Sequence, residues 1–439
     1  MKIVIIGGGA AGLYYAVLMK KADPSHDISV YERNRADETY GFGVVFSDET
    51  LDNFLSHDPE TYDEITRAFV YWDEIDFVWK GETIRTAGHG FCGCGRRELL
   101  MILQNRARAL GVSLHFEADI GDLSPYADAD LIVGADGINS IVRQTYEHKF
   151  KPSFEWRRNK FVWLGTTKPH AAFTFDFAEN AHGIWVLGAY QYNDDLSTWI
   201  IEAPEPTWTN AKDEVEDLSE ADLLAYMEEL WTDTLDGHTL VPNKSVWRTF
   251  PTIRCENWSH DNVVLIGDAL HTAHYSIGSG TKLAMEDAIA LYQACQAVGD
   301  VQGSMAAFEA ARRTEVEITQ HAAEVSVVWT ENARRYRKME AIQAAYSMLT
   351  RSKQITHENL RLRDDGFISD MEAWFAGQFG VRESLPPMFL PFALRDMTLA
   401  NRVVVSPMDM YMSEDGTVGD FHLVHLGSLA MGGAGLVFS

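Results

Sequence analysis

The chain has 439 residues, of which 46% are hydrophobic, so it has room for roughly two or three domains and a large core. Its 37 basic and 64 acidic side chains give a net charge of −27, which argues against a nucleic-acid-binding function. No apolar stretch reaches transmembrane length and no signal peptide is recognisable, so we expect no membrane partner and a cytoplasmic location. The four cysteines are too few and too scattered for a disulfide scaffold. Cys92 and Cys94 are predicted to be free thiols in a turn, with a structural zinc as the alternative, and no metal site is predicted.

The N-terminal residues have the pattern of a βαβ unit. A short apolar strand at residues 2–6 leads into GGGAAG at residues 7–12 and then into a helix, and a second strand at residues 28–31 ends at Glu32. In such a unit the first glycine permits a tight turn, the second lets a pyrophosphate approach the backbone, and the third lets the helix pack on the strand. Glu32 stands where a carboxylate can hold a ribose hydroxyl. The spacing therefore predicts a dinucleotide-binding turn.

The stretch after residue 41 is loop-like and acidic until Arg96 and Arg97 open an amphipathic helix. These two arginines fit either a phosphate contact or a solvated helix start. Residues 112–116 and 131–133 are predicted strands, and the second is followed by GADGINSIVR, in which Asp136 comes just after the strand.

Residues 151–247 have a different pattern, with aromatic and β-branched residues in short runs. The predicted strands are 161–166, 172–177, 183–189 and 197–202, followed by a helix capped by Ser219. We expect an antiparallel sheet that could form an apolar wall for an aromatic ligand, although most of these aromatic residues are equally expected to be core.

The turns after residues 6 and 133 each carry residues that suit a ligand, and we call them ligand-type turns. A third ligand-type turn follows the predicted strand at residues 263–266. Gly267 and Asp268 end this strand, and a glycine-bearing loop at residues 276–280 leads into a helix that begins near Thr281. A carboxylate can accept hydrogen bonds from hydroxyls, and a helix N-terminus attracts negative charge. With the two earlier turns, this places three ligand-type turns at strand C-termini, where open α/β sheets bind ligands.

The order and separation of GGGAAG, GADGINSIVR and IGDALH resemble those of the FAD-dependent aromatic hydroxylases of the para-hydroxybenzoate hydroxylase type. The resemblance implies an α/β fold with a Rossmann-like, GR2-type FAD-binding domain at residues 1–150 and 250–300. An antiparallel-sheet substrate domain would occupy residues 151–249, and C-terminal helices residues 301–385.

The resemblance also implies which residues hold FAD. Arg96 would approach the phosphates, Asp268 the ribityl chain, and residues 278–282 the flavin ring; Lys282 stands where the family commonly has asparagine. The full set of implied cofactor-binding residues is Gly7, Gly9, Ala10, Ala11, Gly12, Glu32, Arg33, Arg96, Asp136, Gly267, Asp268, Gly278, Gly280, Thr281 and Lys282.

The implied reaction is reduction of FAD by NAD(P)H, addition of O2 at the flavin C4a and transfer of the terminal hydroperoxide oxygen to an electron-rich ring. His274 and Tyr275 replace a proline pair found in many relatives, which makes them the catalytic candidates for contact with substrate or peroxide. A packed or solvent-linked histidine is the alternative for His274.

Residues 348–364, MLTRSKQITHENLRLRD, resemble a segment of the aryl-CoA hydroxylases, in which a hydroxylase is fused to an Old Yellow Enzyme-like barrel. This implies an aryl-CoA thioester substrate such as salicylyl-CoA or 2-aminobenzoyl-CoA. Arg334 and Arg335 belong to basic clusters on predicted helices and are the candidate substrate-binding residues, because arginine suits bidentate phosphate binding. Solvated helix faces are the alternative.

Residues 386–439 resemble the first strand, first helix and second strand of an Old Yellow Enzyme-like barrel. A (β/α)8 barrel needs roughly 250 residues. We therefore expect an incomplete barrel start with an exposed apolar face, and no FMN site in this chain.

Two other functions remain open. One is hydroxylation of an indole-derived or other free aromatic compound, because the violacein-pathway hydroxylases also lack the proline pair. The other is an FAD-binding module or subunit without turnover. The sequence leaves the oligomeric state open, and a homodimer is compatible with it.

Overall fold

The computed structural model describes residues 1–39, 41–382 and 385–439, with side chains at all of these except residues 47–52. The chain forms two compact units, Met1–Ile355 and Thr356–Ser439. Among the described residues, none of the helices combines the length and hydrophobicity needed to span a bilayer.

The first unit mixes strands and helices throughout. In chain order its strands are β1 (Lys2–Ile6), β2 (Asp27–Tyr31), β3 (Gly43–Ser47), β4 (Val70–Trp72), β5 (Ile75–Trp79), β6 (Glu82–Thr86), β7 (Phe91–Gly95), β8 (Ser113–His115), β9 (Leu131–Gly134), β10 (Pro152–Trp156), β11 (Lys160–Thr166), β12 (Phe173–Asn180), β13 (Gly183–Gln191), β14 (Ser197–Ala203), β15 (Leu240–Val241), β16 (Pro251–Cys255), β17 (Ser259–His260) and β18 (Val263–Leu265). Its helices are α1 (Ala10–Ala22), α2 (Asp48–His57), α3 (Pro59–Arg67), α4 (Arg96–Leu110), α5 (Ile141–Thr145), α6 (Glu147–Phe150), α7 (Glu205–Val215), α8 (Glu220–Leu230), α9 (Thr232–Leu235), α10 (Gly280–Ala297), α11 (Val301–Glu331), α12 (Ala333–Tyr336) and α13 (Ala341–Leu349).

A six-stranded sheet with the order β17-β18-β9-β1-β2-β8 forms the first layer. All its pairings are parallel except β17 with β18. The central strands are almost wholly apolar and buried, as expected for parallel strands covered on both faces. The predicted N-terminal βαβ unit and the predicted strands that precede the other two turns are confirmed.

A seven-stranded sheet with the order β15-β11-β14-β13-β12-β5-β6 forms the second layer. Its antiparallel strands β11 to β14 are the four runs predicted between residues 161 and 202. Ser219 caps α8 as predicted, since its hydroxyl accepts a hydrogen bond from the backbone N–H of Asp222.

The prediction that residues 41–95 are loop-like is wrong. This stretch contributes β5 and β6 to the seven-stranded sheet, and β3, β4 and β7 form a sheet of their own. In β5, buried Ile75, Phe77 and Trp79 alternate with less buried residues, which is the period of a half-buried strand. Its acidic flanks obscure this short pattern in the sequence.

Cys92 and Cys94 lie in strand β7 and not in a turn. Both are free thiols, as predicted, and both are buried. The glycine between them is explained by packing, because a Cβ on Gly93 would lie 2.8 Å from the Trp72 ring. This glycine therefore allows close packing within the sheet, where the sequence had suggested a turn.

The second unit contains α14 (His357–Arg363), α15 (Asp365–Gly377), β19 (Phe392–Leu394), β20 (Met397–Leu399), β21 (Val404–Val405), α16 (Asp420–Met431) and β22 (Leu436–Val437). Strands β19 and β20 form a hairpin, and β21 and β22 pair in parallel on either side of α16. A single βαβ unit is common to many α/β folds, and the described residues contain no closed barrel. On α16, Leu423 is 74% exposed and Met431 is 90% exposed, in line with the expected uncovered apolar face.

The contact between the first glycine turn and α1 leads to a stability prediction. A Cβ on Gly12 would lie 2.2 Å from the Gly7 carbonyl oxygen, whereas nothing lies within 4 Å of a Cβ on Gly9. We expect Gly12→Ala to lower the free energy of unfolding of the FAD-free protein by about 2 kcal/mol or more, and Gly9→Ala to change it by less than about 0.5 kcal/mol. Denaturant unfolding of both variants checks this, and equal midpoints would contradict it.

Candidate active site

Three turns meet at one edge of the six-stranded sheet. Strands β18, β9 and β1 are parallel neighbours, so the residues that follow their C-terminal ends are brought together. The turns after β1 and β9 touch, because a Cβ on Gly7 would lie 2.2 Å from the Ala135 carbonyl oxygen. Gly7 has φ +112°, a conformation that only glycine adopts readily. The predicted convergence of the three ligand-type turns is therefore present.

The glycine turn forms an open cradle at the N-terminus of α1. Gly9 is the N-cap of this helix, and no side chain caps it. The space in front of Gly9 is open, while a Cβ on Gly267 would contact Ala11 and Ala284 at 3.3 Å. Uncapped backbone N–H groups beside open space suit an anionic group such as a diphosphate.

Glu32 directly follows β2 and is hydrogen-bonded to the glycine turn. Its Oε2 accepts a hydrogen bond from the Gly8 backbone N–H at 2.8 Å, and its Oε1 accepts from the backbone and side chain of Asn34 at 2.9 and 2.7 Å. These bonds fix the carboxylate at the mouth of the turn. Arg33, beside it, is exposed.

Asp268, in the third turn, and Arg96, at the start of α4, are close enough for their charges to interact. The Asp268 carboxylate is half-buried, and no hydrogen-bond donor contacts it in the part of the chain that the structure describes. Burial raises the pKa of Asp268, while the nearby charge of Arg96 acts in the opposite direction. The Nε of Arg96 is buried and has no partner among the described residues. The Asp268 carboxylate can accept hydrogen bonds from hydroxyls, and the Arg96 guanidinium can donate to phosphates. The two residues together therefore fit a ligand that carries both groups.

Asp136 connects the second turn to the short helix α5. Its Oδ2 accepts hydrogen bonds from the backbone N–H groups of Ile141 and Val142 at 2.6 and 3.3 Å. Its Oδ1 is buried and lacks a partner among the described residues, and burial raises the pKa of the carboxyl. One oxygen of Asp136 therefore holds the loop against the start of α5.

Arg143 joins the second and third turns, a role that the sequence reasoning missed. Its guanidinium donates to the Ala269 carbonyl oxygen at 2.6 Å and also to the Ile138 carbonyl oxygen. The side chain is almost fully buried. Arg143 closes the motif GADGINSIVR, but nothing in the motif shows that its partners lie in another turn.

The carboxylate of Asp287, which the sequence reasoning also missed, fixes the third turn through hydrogen bonds. It accepts hydrogen bonds from the Gly267 backbone N–H at 2.9 Å, from His271 at 2.8 Å and from Arg312 at 3.2 Å. Burial alone would raise the pKa of Asp287, but these three donors keep it below its ordinary value. A charged residue on the otherwise apolar face of α10 was the signal that could have revealed it.

The loop before α10 occupies the position predicted to face a flavin ring. Gly278 has φ +66° and lies against Val45, and the helix begins at Gly280. The Ser279 hydroxyl is buried without a partner among the described residues. Lys282, one turn into the helix, is 3.6 Å from Glu286.

His274 and Tyr275 precede this loop and are packed against aromatic rings. The Nδ1 of His274 accepts a hydrogen bond from the Ser276 backbone N–H at 3.2 Å, and burial lowers the pKa of this imidazole to about 3. The Tyr275 ring lies 4.7 Å from the Phe161 ring and 5.7 Å from the Phe250 ring, measured between centroids. His274 is thus a neutral, packed residue, and Tyr275 forms part of an aromatic wall.

Glu202 forms a buried polar cluster behind Tyr275, and this residue was also missed. It lies in β14 and accepts hydrogen bonds from Asn159 at 2.9 Å and Thr330 at 3.0 Å. Burial raises the pKa of Glu202, and the Tyr275 hydroxyl lies beside its carboxylate. Nearby, Arg351 donates to the Ser276 carbonyl oxygen at 2.7 Å. The cluster ties the loop before α10 to the seven-stranded sheet.

The remaining predicted site residues lie apart from these contacts. Arg334 and Arg335 are both exposed on α12. Among the described residues, no group of three or more histidine, cysteine or acidic side chains could hold a metal ion.

The fold joins a Rossmann-like parallel sheet, with its three turns at one edge, to a second, seven-stranded sheet. The family described as FAD binding domain matches residues 1–326, so the chain belongs to this family. A solved structure of a mutant 2-methyl-3-hydroxypyridine-5-carboxylic acid oxygenase has the same fold, with a TM-score of 0.63 at 19% identity, over 80% of this chain and 97% of that one.

Two curated proteins extend the comparison. Salicyloyl-CoA 5-hydroxylase from a Streptomyces species is 38% identical over 426 residues, which cover 95% of this chain and 81% of that protein. NADPH dehydrogenase from Bacillus cytotoxicus is 56% identical over 52 residues, which cover 11% of this chain and 15% of that protein. The chain is an FAD-dependent monooxygenase, and the predicted enzyme class and cofactor are confirmed.

The lowered pKa of His274 leads to a prediction about acid stability. With a pKa of about 3 when folded, His274 stays neutral at pH 5, whereas an unfolded chain takes up a proton below about pH 6.5. The free energy of unfolding therefore decreases as the pH falls below about 6.5, and His274 accounts for about 2 kcal/mol of this decrease at pH 5.

We expect His274→Gln to show a shallower loss of unfolding free energy between pH 7 and pH 5 than the unmodified protein. The exposed His148 provides the matched control, and His148→Gln should keep the original slope. Denaturant unfolding across this pH range gives the slopes, and identical slopes for all three proteins would contradict the assignment.

Proposed function

We propose that this enzyme uses NAD(P)H and O2 to hydroxylate an aromatic ring that is carried as a CoA thioester, such as salicylyl-CoA or 2-aminobenzoyl-CoA. The observation that carries the proposal is the similarity to salicyloyl-CoA 5-hydroxylase along 95% of the chain. The aromatic wall around Tyr275, next to the cofactor sheet, supports an aromatic substrate.

The unpartnered groups at the strand ends support a specific assignment of the cofactor contacts. We infer that the cradle at Gly9 receives the diphosphate, Glu32 the ribose, and Asp268 with Arg96 the ribityl and phosphate groups. The other residues proposed to line the cofactor are Gly7, Ala10, Ala11, Gly12, Arg33, Asp136, Gly267, Gly278, Gly280, Thr281 and Lys282.

When bound, FAD supplies the chemistry, namely acceptance of a hydride from NAD(P)H and activation of O2 for transfer of one oxygen atom. The protein contributes position and electrostatics. The N-terminus of α10 favours negative charge in front of the loop at Gly278. The packed rings beside Tyr275 keep water away from the reacting groups.

Different roles follow for the two candidate catalytic residues. We propose that the half-buried ring of Tyr275 contacts the substrate ring, because it lies in the aromatic wall in front of the loop. His274 is 1% exposed and hydrogen-bonded to its own loop, which supports a role in positioning Tyr275. Glu202 and Arg351 would fix the same loop to the seven-stranded sheet.

A substrate comparison tests the proposed reaction. We expect salicylyl-CoA or 2-aminobenzoyl-CoA to accelerate NAD(P)H oxidation by the purified yellow protein and to yield a hydroxylated product, because the ring must bind to couple oxidation to oxygen transfer. The free acids and an indole-derived acid serve as comparisons, with the product followed by mass spectrometry. Stimulation by a free aromatic alone would favour the second substrate class, and a lack of response to every aromatic compound would favour a flavin-binding subunit without turnover.

The contribution of Asp268 can be tested through the colour of the protein. Asp268→Ala removes the half-buried acceptor proposed to bind the ribityl hydroxyls, so we expect the purified variant to lose most of its flavin absorbance. The exposed Asp119 provides the matched control, and Asp119→Ala should remain yellow. Circular dichroism shows whether both variants are folded, and a folded, fully yellow Asp268→Ala protein would refute the assignment.

For the C-terminal segment, we propose that residues 386–439 correspond to the start of an Old Yellow Enzyme-like barrel. The parallel pair β21 and β22 around α16, and the local similarity to an NADPH dehydrogenase, support this proposal. We also propose a cytoplasmic location, which fits the four free cysteines.

A further inference from the structure

A row of accessible residues crosses the face of the seven-stranded sheet that also carries Phe161. Residues paired directly across neighbouring strands lie on the same face. In β11, β14 and β13 the member of this row is half-buried, while the residues before and after it are buried. The row therefore remains accessible although it lies in the interior of the sheet. Its members, from β11, β14, β13 and β12, are Trp163, Ile200, Gly188 and Phe175.

The same face is covered on both sides of this row, at positions about 7 Å further along the strands. On one side, the Phe161 ring lies 4.7 Å from the Tyr275 ring, measured between centroids. On the other side, the Tyr190 hydroxyl donates a hydrogen bond to the Gly43 carbonyl oxygen at 2.9 Å. The accessible row is thus a trough between two covered edges, and we call it the Gly188 trough.

Gly188 leaves the middle of the trough without a side chain. No atom of the described residues lies within 4 Å of a Cβ built on Gly188. In contrast, a Cβ on Gly165, which follows Trp163 by two residues on the same face of β11, would lie 2.6 Å from the Phe42 ring. A glycine inside a strand weakens the strand, and it often marks a place where a ligand approaches the backbone closely. The open space at Gly188 has this character, whereas the space at Gly165 is filled by the protein itself.

The trough has aromatic residues with polar partners at its two ends. At one end, the Arg351 guanidinium lies over the Phe175 ring, with 5.1 Å between Cζ and the ring centroid, and donates to the Ser276 carbonyl oxygen at 2.7 Å. At the other end, the indole Nε1 of Trp163 is buried and has no partner among the described residues. An apolar floor with donors at its ends suits a flat aromatic ring with polar substituents.

Strand β3 connects the trough to the loop proposed to face the flavin ring. Gly43 borders the trough, and two residues further along β3 the Cβ of Val45 lies 4.0 Å from a Cβ built on Gly278. At the opposite edge, Tyr275 directly precedes the same loop. A ring in the trough would therefore lie next to the proposed position of the flavin.

We propose that the ring of the aromatic substrate lies over Gly188 in this trough, and that the absence of a side chain at this position sets the size of the ring that the enzyme accepts. The inference rests on the proposed hydroxylase function, to which it adds a specificity-determining residue. The flavin ring is the other flat group that this chain is proposed to bind, so the experiment must separate the two occupants.

Two substitutions fill the trough in steps. For Gly188→Val we expect the KM for salicylyl-CoA to rise roughly 10- to 100-fold, and for Gly188→Ala by a smaller factor, because each added methyl group takes space from the ring. Gly188→Ala should not lower the unfolding midpoint, since its Cβ meets open space in an ordinary strand conformation. Gly121 is exposed and also has open space at its Cβ, so Gly121→Val is the control and should stay within about twofold of the unmodified enzyme.

Binding in the absence of NAD(P)H separates failure of this inference from failure of the proposed function. The oxidised, FAD-loaded protein has no reductant and cannot turn over, so isothermal titration with salicylyl-CoA, salicylate and CoA alone reports binding only. We expect Gly188→Val to weaken the binding of the ligands that carry the ring by the same roughly 10- to 100-fold. The affinity for CoA alone should not change.

The possible results have distinct meanings. A folded Gly188→Val protein that has lost its flavin absorbance would assign the trough to the flavin ring and overturn the proposal, as would unchanged binding of the ring-bearing ligands. If these ligands bind in the expected pattern but no aromatic compound is hydroxylated, the reaction assignment fails and the trough stands. If hydroxylation proceeds with the same KM in Gly188→Val, the trough assignment alone fails. If no ring-bearing ligand binds to the unmodified protein, both assignments fail.

Discussion

Close backbone contact between the turns that follow β1, β9 and β18 is the constraint on which the proposed cofactor site depends. Gly7 approaches the Ala135 carbonyl so closely that no side chain fits, and Gly267 packs against Ala11 and Ala284. Because the strands are parallel neighbours, their C-terminal ends bring together residues separated by more than half of the chain. The open space at Gly9 and the unpartnered Oδ1 of Asp136 lie in these turns.

Buried charges hold these turns in place. Arg143 spans two turns through backbone carbonyls, and Asp287 binds the Gly267 amide together with His271 and Arg312. A buried charge is costly unless it is paired and hydrogen-bonded, so loss of one partner leaves the other uncompensated. These residues therefore maintain the geometry of the second and third turns. The cluster of Glu202 and Arg351 has the same relation to the loop at Tyr275.

The two sheets have different roles in the proposed function. The parallel sheet supplies the groups suited to a dinucleotide, whereas the seven-stranded sheet supplies Phe161 to the aromatic wall around Tyr275. Glu202 connects this sheet to α11, since its strand pairs with β13 and its carboxylate accepts a hydrogen bond from Thr330.

The sequence by itself determined the local features: the glycine turn after β1, the acids after β9 and β18, the start of α10 and the four strands β11 to β14. These depend on residues close in the chain, where glycine, a capping group or alternating hydrophobicity selects the backbone conformation. Only the tertiary structure decided that β5 and β6 join the seven-stranded sheet and that Cys92 and Cys94 lie in a strand. It also revealed Arg143, Asp287 and Glu202, because the partners of a buried charge come from distant segments, and no local pattern records which segments will meet.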